Sequence, residues 1–229
     1  MSGGVTQTLH PKCNTKGQPV IIYEPSSPSD PESWSDPRRV VTITPGSTVP
    51  SMLNGVTLRR VAAPSSDAEW TALARDASAR PYPSLRNPRH MKLSSGAVIF
   101  EPDGRIWVFE PTNKYGGYVR TFPKGTVEPG LSLAANAAKE VFEETGLLIE
   151  VGRPLIDTER TASVCRYFLG RRIGGDPSNM GWEAQAVCLT PVVLLPQYVT
   201  HASDAPVIKI IKELASKSGS GEKIEWDKR

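Results

Sequence analysis

The segment Gly125–Leu148, GTVEPGLSLAANAAKEVFEETGLL, decides how the rest of this 229-residue chain is read. Pro123 to Gly130 is a glycine-bearing loop, and the run after it predicts a helix from about Ser132 to Thr145, with Gly146 placed as its C′ stop. Glu140, Glu143 and Glu144 stand at i, i+3 and i+4, so at 3.6 residues per turn three carboxylates share one stripe. Unpaired, they repel one another. Ala134, Ala138, Val141 and Phe142 fall on the opposite side of the wheel, so one face can be buried while the acidic face stays open. Clustered hard oxygen ligands suit Mg²⁺, which keeps several waters and binds one or two carboxylates together with phosphate oxygens; Mn²⁺ is a reasonable substitute. An acidic helical face is more often simply solvated, and three glutamates alone do not decide between the two.

The flanks of this segment are strand-rich. Upstream, SSGAVIF and RIWVFE are apolar runs separated by Pro102-Asp103-Gly104, the pattern of an antiparallel hairpin. Tyr118 to Phe122 reads as a further strand. Downstream, Leu147 to Val151, Ser163 to Arg171 and Glu183 to Leu189 read as strands, and a final amphipathic helix begins near Ser203 or Asp204 with Pro206 in its first turn. Strands with one central and one C-terminal helix predict an α+β layered domain over residues 91–216, followed by a polar tail, 217–229.

Residues 1–90 have another character. Twelve of the 21 prolines precede Met91, fixing backbone angles and removing amide donors, so long elements are unexpected there. Glu24 to Pro37, EPSSPSDPESWSDP, reads as an exposed or partly disordered loop that Trp34 could anchor. Val40 to Ile43 and Val56 to Val61 read as short strands. Ser66 and Glu69 have capping-box spacing for a helix running to about Ser78.

Composition excludes several functional classes. Hydrophobic residues are 38% and charged residues 22% of the chain, a balance that fits a globular protein rather than a coiled coil or a disordered chain. There is no apolar run of membrane-spanning length and no signal-peptide core, which makes the cytosol the expected address. Cys13, Cys165 and Cys188 are odd in number and lack CxxC spacing, so they read as buried or free thiols. A net charge of +3 with scattered basic residues gives no nucleic-acid footprint. His10, His90 and His201 show no ligand spacing.

With these residues in hand, Gly125 to Leu148 resembles the Nudix box: glycine, five residues, glutamate, seven residues, then Arg-Glu-apolar-x-Glu-Glu-x-Gly-apolar. Gly125, Glu140, Val141, Glu143, Glu144, Gly146 and Leu147 fall in register with it. The resemblance implies a Nudix-type α/β/α sandwich with a mixed sheet, preceded by the proline-rich extension. It also implies metal-dependent hydrolysis of a phosphoanhydride in a nucleoside diphosphate-linked or related pyrophosphate, with Glu140, Glu143 and Glu144 as metal ligands. Glu140, or a glutamate from outside the box, is then the candidate general base.

Two positions depart from the signature. Leu131 stands where the first glutamate belongs, and Lys139 where arginine belongs. Lysine replaces a planar five-donor fork with one compact charge. In one reading the two changes remove a supporting interaction together and leave the triad intact, with Glu128 able to supply a nearby carboxylate. The alternative is an attenuated domain that senses nucleotides or binds a partner. Outside the box, Lys124, Arg120, Arg160 and Arg166 are the candidate substrate-binding cations, and Glu183 is a candidate extra catalytic carboxylate. Trp182, Tyr167 and Tyr118 could stack on a base or merely pack. The extension could lid the cleft, mediate homodimerisation or hold a partner, and the substrate expected is a small nucleotide-derived pyrophosphate.

Overall fold

A computed structural model of the chain describes residues 8–74, 77, 83–87 and 89–219. Strands β6 (Lys92–Phe100) and β7 (Arg105–Pro111) explain the layering. Their alternate residues are apolar on both sides, and a strand that is apolar on both faces must be covered on both. Ala97, Ile99, Trp107 and Phe109 point into one core; Val98, Phe100, Ile106 and Val108 point into a second. The first core is closed by α1 (Asp67–Ala72) and α2 (Leu133–Thr145), the second by α3 (Leu195–Tyr198) and α4 (Ala205–Gly219). The result is the three-layer α/β/α sandwich that the resemblance implied.

The sheet has seven strands in the order β3-β11-β7-β6-β10-β9, with β8 (Lys124–Thr126) pairing β6 off that path. Here β3 is Val41–Ile43, β9 Leu147–Glu159, β10 Ser163–Gly175 and β11 Ala184–Pro191. It is a mixed sheet: β6 and β10 run parallel, while the other pairings are antiparallel. Short pairs also form between β1 (Thr8–Leu9) and β2 (Ile21–Ile22) and between β4 (Met52–Leu53) and β5 (Val56–Thr57).

The N-terminal extension is woven into this domain. Val41 and Ile43 on β3 pair with β11 and sit in the first core with Leu53, Leu58, Trp70 and Ala74. Buried arginines tie down its loops. Arg105 donates to the carbonyls of Ser33 (3.2 Å) and Trp34 (2.9 Å), and Arg172 donates to the Leu53 carbonyl (2.8 Å) while pairing with buried Glu101 (2.5 Å). The stretch Glu24 to Pro37 is largely exposed, as its sequence suggests, but Trp34 anchors it by packing against Trp107 at 6.5 Å between ring centroids. The helix expected from Ser66 is formed over Asp67–Ala72, with the Ser66 hydroxyl accepting from the Glu69 N–H at 3.3 Å; Ser78 lies outside the described residues.

Three expectations are corrected. Tyr118 to Phe122 is not a strand, because left-handed backbone at Asn113, Lys114, Gly116 and Gly117 turns the chain so that only Thr121 bridges to Phe109. Three residues later β8 pairs with Ser94–Gly96 instead, a strand too short to carry a period. The strands expected at Leu147–Val151 and Ser163–Arg171 extend to Glu159 and Gly175, because register shifts around Phe168 absorb Gly152 and Pro154, which read as breakers.

Candidate active site

Helix α2 begins at Ser132, whose hydroxyl accepts from the Ala135 N–H (3.1 Å), and ends at left-handed Gly146 (φ 72°), whose N–H reaches the Phe142 carbonyl (2.8 Å). Its buried face is made of small residues, Ala134, Ala135, Ala137 and Ala138, together with Val141, so the helix lies close to the sheet. β8 is held between α2 and β6, and the glycines on either side of it explain how. A side chain at Gly96 would collide with the Pro123 carbonyl and with Lys124, and one at Gly125 would collide with the Glu140 carboxylate. The signature glycine is therefore where backbone meets a carboxylate.

The other glutamates are placed by the same contacts. Glu144 is buried and accepts the Lys124 backbone N–H at 2.7 Å. Gly181 lies against the Glu143 carbonyl so closely that a Cβ has no room, which brings exposed Glu183, two residues on, to the helix terminus. Thus α2 supplies three carboxylates and the stretch before β11 a fourth.

Their electrostatics describe an unbalanced site. Burial, reinforced by Glu143, Glu183 and Glu128, pushes the Glu140 carboxyl up to about 8. Full burial raises Glu144, and partial desolvation raises the more exposed Glu143 and Glu183, with Lys139 opposing the shift at Glu143 and Lys124 opposing it at Glu144 and Glu183. Desolvation, joined at Glu140, Glu143 and Glu144 by repulsion from neighbouring glutamates, means that these carboxyls cannot all ionise together without a compensating positive charge. Such an excess of hard oxygen donors fits a divalent cation. Among the described residues no three His, Cys, Asp or Glu side chains are grouped so as to hold a metal ion by themselves.

The four candidate cations have different fates. Lys124 Nζ lies 3.4 Å from Thr121 Oγ1 and 4.9 Å from the centre of the Tyr118 ring, and its charge acts on Glu144 and Glu183. Each arginine instead has a carboxylate partner: Arg120 pairs with Glu110 and covers the Tyr198 ring, and Arg166 grips Asp157 with two bonds of 2.7 Å. Arg160 is buried between Asp204 (2.6 Å), the Tyr167 hydroxyl (2.6 Å) and the Tyr118 hydroxyl (2.6 Å). The aromatics divide likewise. Tyr167 is fully buried, whereas Tyr118 stacks on His201 at 4.0 Å between ring centres.

Sequence reasoning missed Asp204, His201 and Asn136. Asp204 accepts from both Arg160 and Thr121, and the Asn136 amide joins the Ser95 hydroxyl to the Glu128 N–H. Asp204 and Asn136 share no local pattern with their partners; His201 caps the turn at Ser203 two residues on, but its stacking partner Tyr118 is remote in sequence.

Both departures from the signature are accommodated. Leu131 is buried in the first core, and Lys139 pairs with Glu128 at 2.5 Å and lies 3.8 Å from Glu143. Burial, which would lower the Lys139 pKa, is outweighed by Glu128, Glu143 and Glu140, and the ammonium is retained. The carboxylate missing at 131 is thus replaced as a charge partner from three residues earlier.

Gly125→Ala tests the packing of the site. The added methyl must displace the flexible end of Glu140 rather than backbone, so Tm is expected to move little while turnover falls about tenfold or more, the scale of a misplaced catalytic group. Circular dichroism melting beside steady-state kinetics checks it, and wild-type activity would contradict the placement of Glu140.

The NUDIX domain family model matches residues 90–209, more than half of the chain. The protein belongs to the Nudix family. An RNA pyrophosphohydrolase of Caulobacter vibrioides is 38% identical over 103 residues, covering 44% of this chain and 56% of that protein; the chain thus spans about half the length of this curated relative. A NUDIX hydrolase structure from Nitrosomonas europaea superposes with a TM-score of 0.47 at 18% identity, covering 58% of this chain and 75% of that one. A C. elegans Ap4A hydrolase complex gives 0.45 at 17% identity, covering 56% and 98% respectively. Among the described residues, no helix is long and apolar enough to cross a membrane.

Proposed function

We propose that this chain is a metal-dependent pyrophosphohydrolase that cleaves a phosphoanhydride bond in a small nucleotide-derived substrate. The observation that carries the reading is the convergence of Glu140 and Glu144 on the Lys124–Gly125 backbone, with Glu143 and Glu183 near enough for their charges to act on Glu140. A solvated acidic face would not bury Glu144 or press Glu140 against a glycine.

Glu140, Glu143 and Glu144 would hold Mg²⁺ or Mn²⁺, which when bound neutralises phosphate oxygens and acidifies water for attack. The remaining work falls to the chain. Glu140, whose carboxylate lies against the Gly125 backbone, is the candidate to take a proton from the attacking water. Lys124 sets a positive charge beside the carboxylates, where the anionic substrate must lie. Glu183 occupies the open edge and serves as the additional catalytic carboxylate. Arg120, Arg160 and Arg166 act in this reading from behind the cleft: their carboxylate partners hold them, and Arg160 orients the Tyr118 ring beside Lys124. The Lys139–Glu128 pair favours an intact triad over an attenuated one.

The domain reading that goes with this is a catalytic unit over residues 91–216 served by residues 1–90. A panel of ADP-ribose, dinucleoside polyphosphates, NADH and nucleoside triphosphates, each with Mg²⁺ or Mn²⁺, tests the function. Metal-dependent release of a phosphorylated product from at least one class is expected. Tight nucleotide binding with no turnover in any metal would replace the enzyme by the sensing module.

A further inference from the structure

The proposed catalytic carboxylate Glu183 lies next to a network of hydrogen bonds that reaches the N-terminal extension. Its own backbone is latched to the loop after β7: the Thr112 N–H donates to the Glu183 carbonyl (2.8 Å) and the Thr112 hydroxyl to the Trp182 carbonyl (2.8 Å). Immediately after Glu183 the β11–β7 ladder slips, with Ala184 opposite Pro111 and Ala186 opposite Glu110, leaving Gln185 as the extra residue of a bulge. Such a bulge re-aims the neighbouring side chains.

What fixes the bulge comes from residues 21–26. The Gln185 side chain donates to the Glu24 carbonyl (3.1 Å) and the Ser26 hydroxyl (3.2 Å), and accepts the Asn113 N–H (2.9 Å). Asn113 has left-handed backbone (φ 55°), a conformation that costs free energy unless its surroundings hold it. They do: its amide accepts from the Tyr23 N–H (2.9 Å) and donates to the Ile21 carbonyl (2.8 Å). Lys114, also left-handed, reaches Glu24 at 2.6 Å.

We infer that Ile21–Ser26, acting through Asn113 and Gln185, positions Glu183 against the carboxylates of α2, with Asn113 as a positioning residue outside the reacting atoms. The inference rests on the catalytic reading of Glu183.

The test is a double-mutant cycle on the full chain, using the best substrate of the panel with Mn²⁺. Asn113→Gly keeps the left-handed backbone at no steric cost and deletes both amide bridges. It is expected to lower kcat about tenfold, with KM within about twofold, since the group misplaced works in the transition state. In a Glu183→Gln background the same change should cost less than about twofold, because residues acting through one group are not additive. Gln185→Ala should repeat the pattern from the other half of the latch. Wild-type kcat in Asn113→Gly, or an equal loss in both backgrounds, would overturn the brace while leaving Glu183 catalytic. Unchanged kcat in Glu183→Gln alone would overturn the role of Glu183 and this inference with it, leaving the α2 triad untouched.

Discussion

Glu143→Gln and Glu144→Gln should each reduce turnover on the order of 10³-fold, since a lost charge contact to the ion or phosphate is worth several kcal/mol and about 1.4 kcal/mol is tenfold. Neither change alters side-chain shape, so the fold should persist. For Glu144 the stability effect should even be favourable. Its carboxyl is buried with its pKa raised mainly by that burial, and a neutral amide removes the desolvation cost while still accepting the Lys124 N–H. Activity and stability should therefore move in opposite directions, which ordinary structural damage cannot imitate. Glu213→Gln on exposed α4 is the matched control and should be silent in both assays. Turnover within about twofold of wild type in either triad variant would return the acidic stripe to a solvated surface.

The sequence discloses these features according to the range over which each is encoded. The glutamate stripe and its Gly146 stop are local, so spacing alone placed Glu140, Glu143 and Glu144 on one helix. The two apolar faces of β6 and β7 were likewise visible as continuous runs. The fate of the arginines was not. Arg160 takes its carboxylate from Asp204, 44 residues away, and Arg120 its ring from Tyr198; nothing in either local sequence distinguishes a paired cation from one awaiting phosphate. The short strand at Val40 to Ile43 was legible in the extension, but not its partner: Val41 and Ile43 complete the sheet by pairing with β11, more than 140 residues on in the chain. Gly96, Gly125 and Gly181 carry the tightest information about the site, and a sequence shows only that they are glycines. Gly125 stood out through a family signature; Gly96 and Gly181 had none.

Without a divalent ion the protein should lose stability as pH rises from 6.5 to 8, and the loss should be smaller in Glu140→Gln. The Glu140 carboxyl is pushed up to about 8 in the fold against 4.5 ordinarily. Below the ordinary value both folded and unfolded chains hold the proton and the group contributes nothing. Between the two values the unfolded chain ionises first, so the fold is penalised by up to about 1.4 kcal/mol for each pH unit; above about 8 the penalty is complete. Glu143, Glu144 and Glu183 are raised as well, so any slope they add in this window has the same sign. Carboxyls held below their usual range, such as Asp36 and Asp103, are ionised in both states throughout this window and add no slope. His10, lowered chiefly by burial, favours the unfolded chain only as pH falls through 6.5, hence the lower bound. Melting in EDTA across the window should show Tm descending. Mn²⁺ should restore it most at pH 8, because the ion binds carboxylates that have given up their protons. A flat or rising Tm in EDTA, or a slope unchanged by Glu140→Gln, would mean that the carboxylates do not share the uncompensated charge on which the proposed cation site depends.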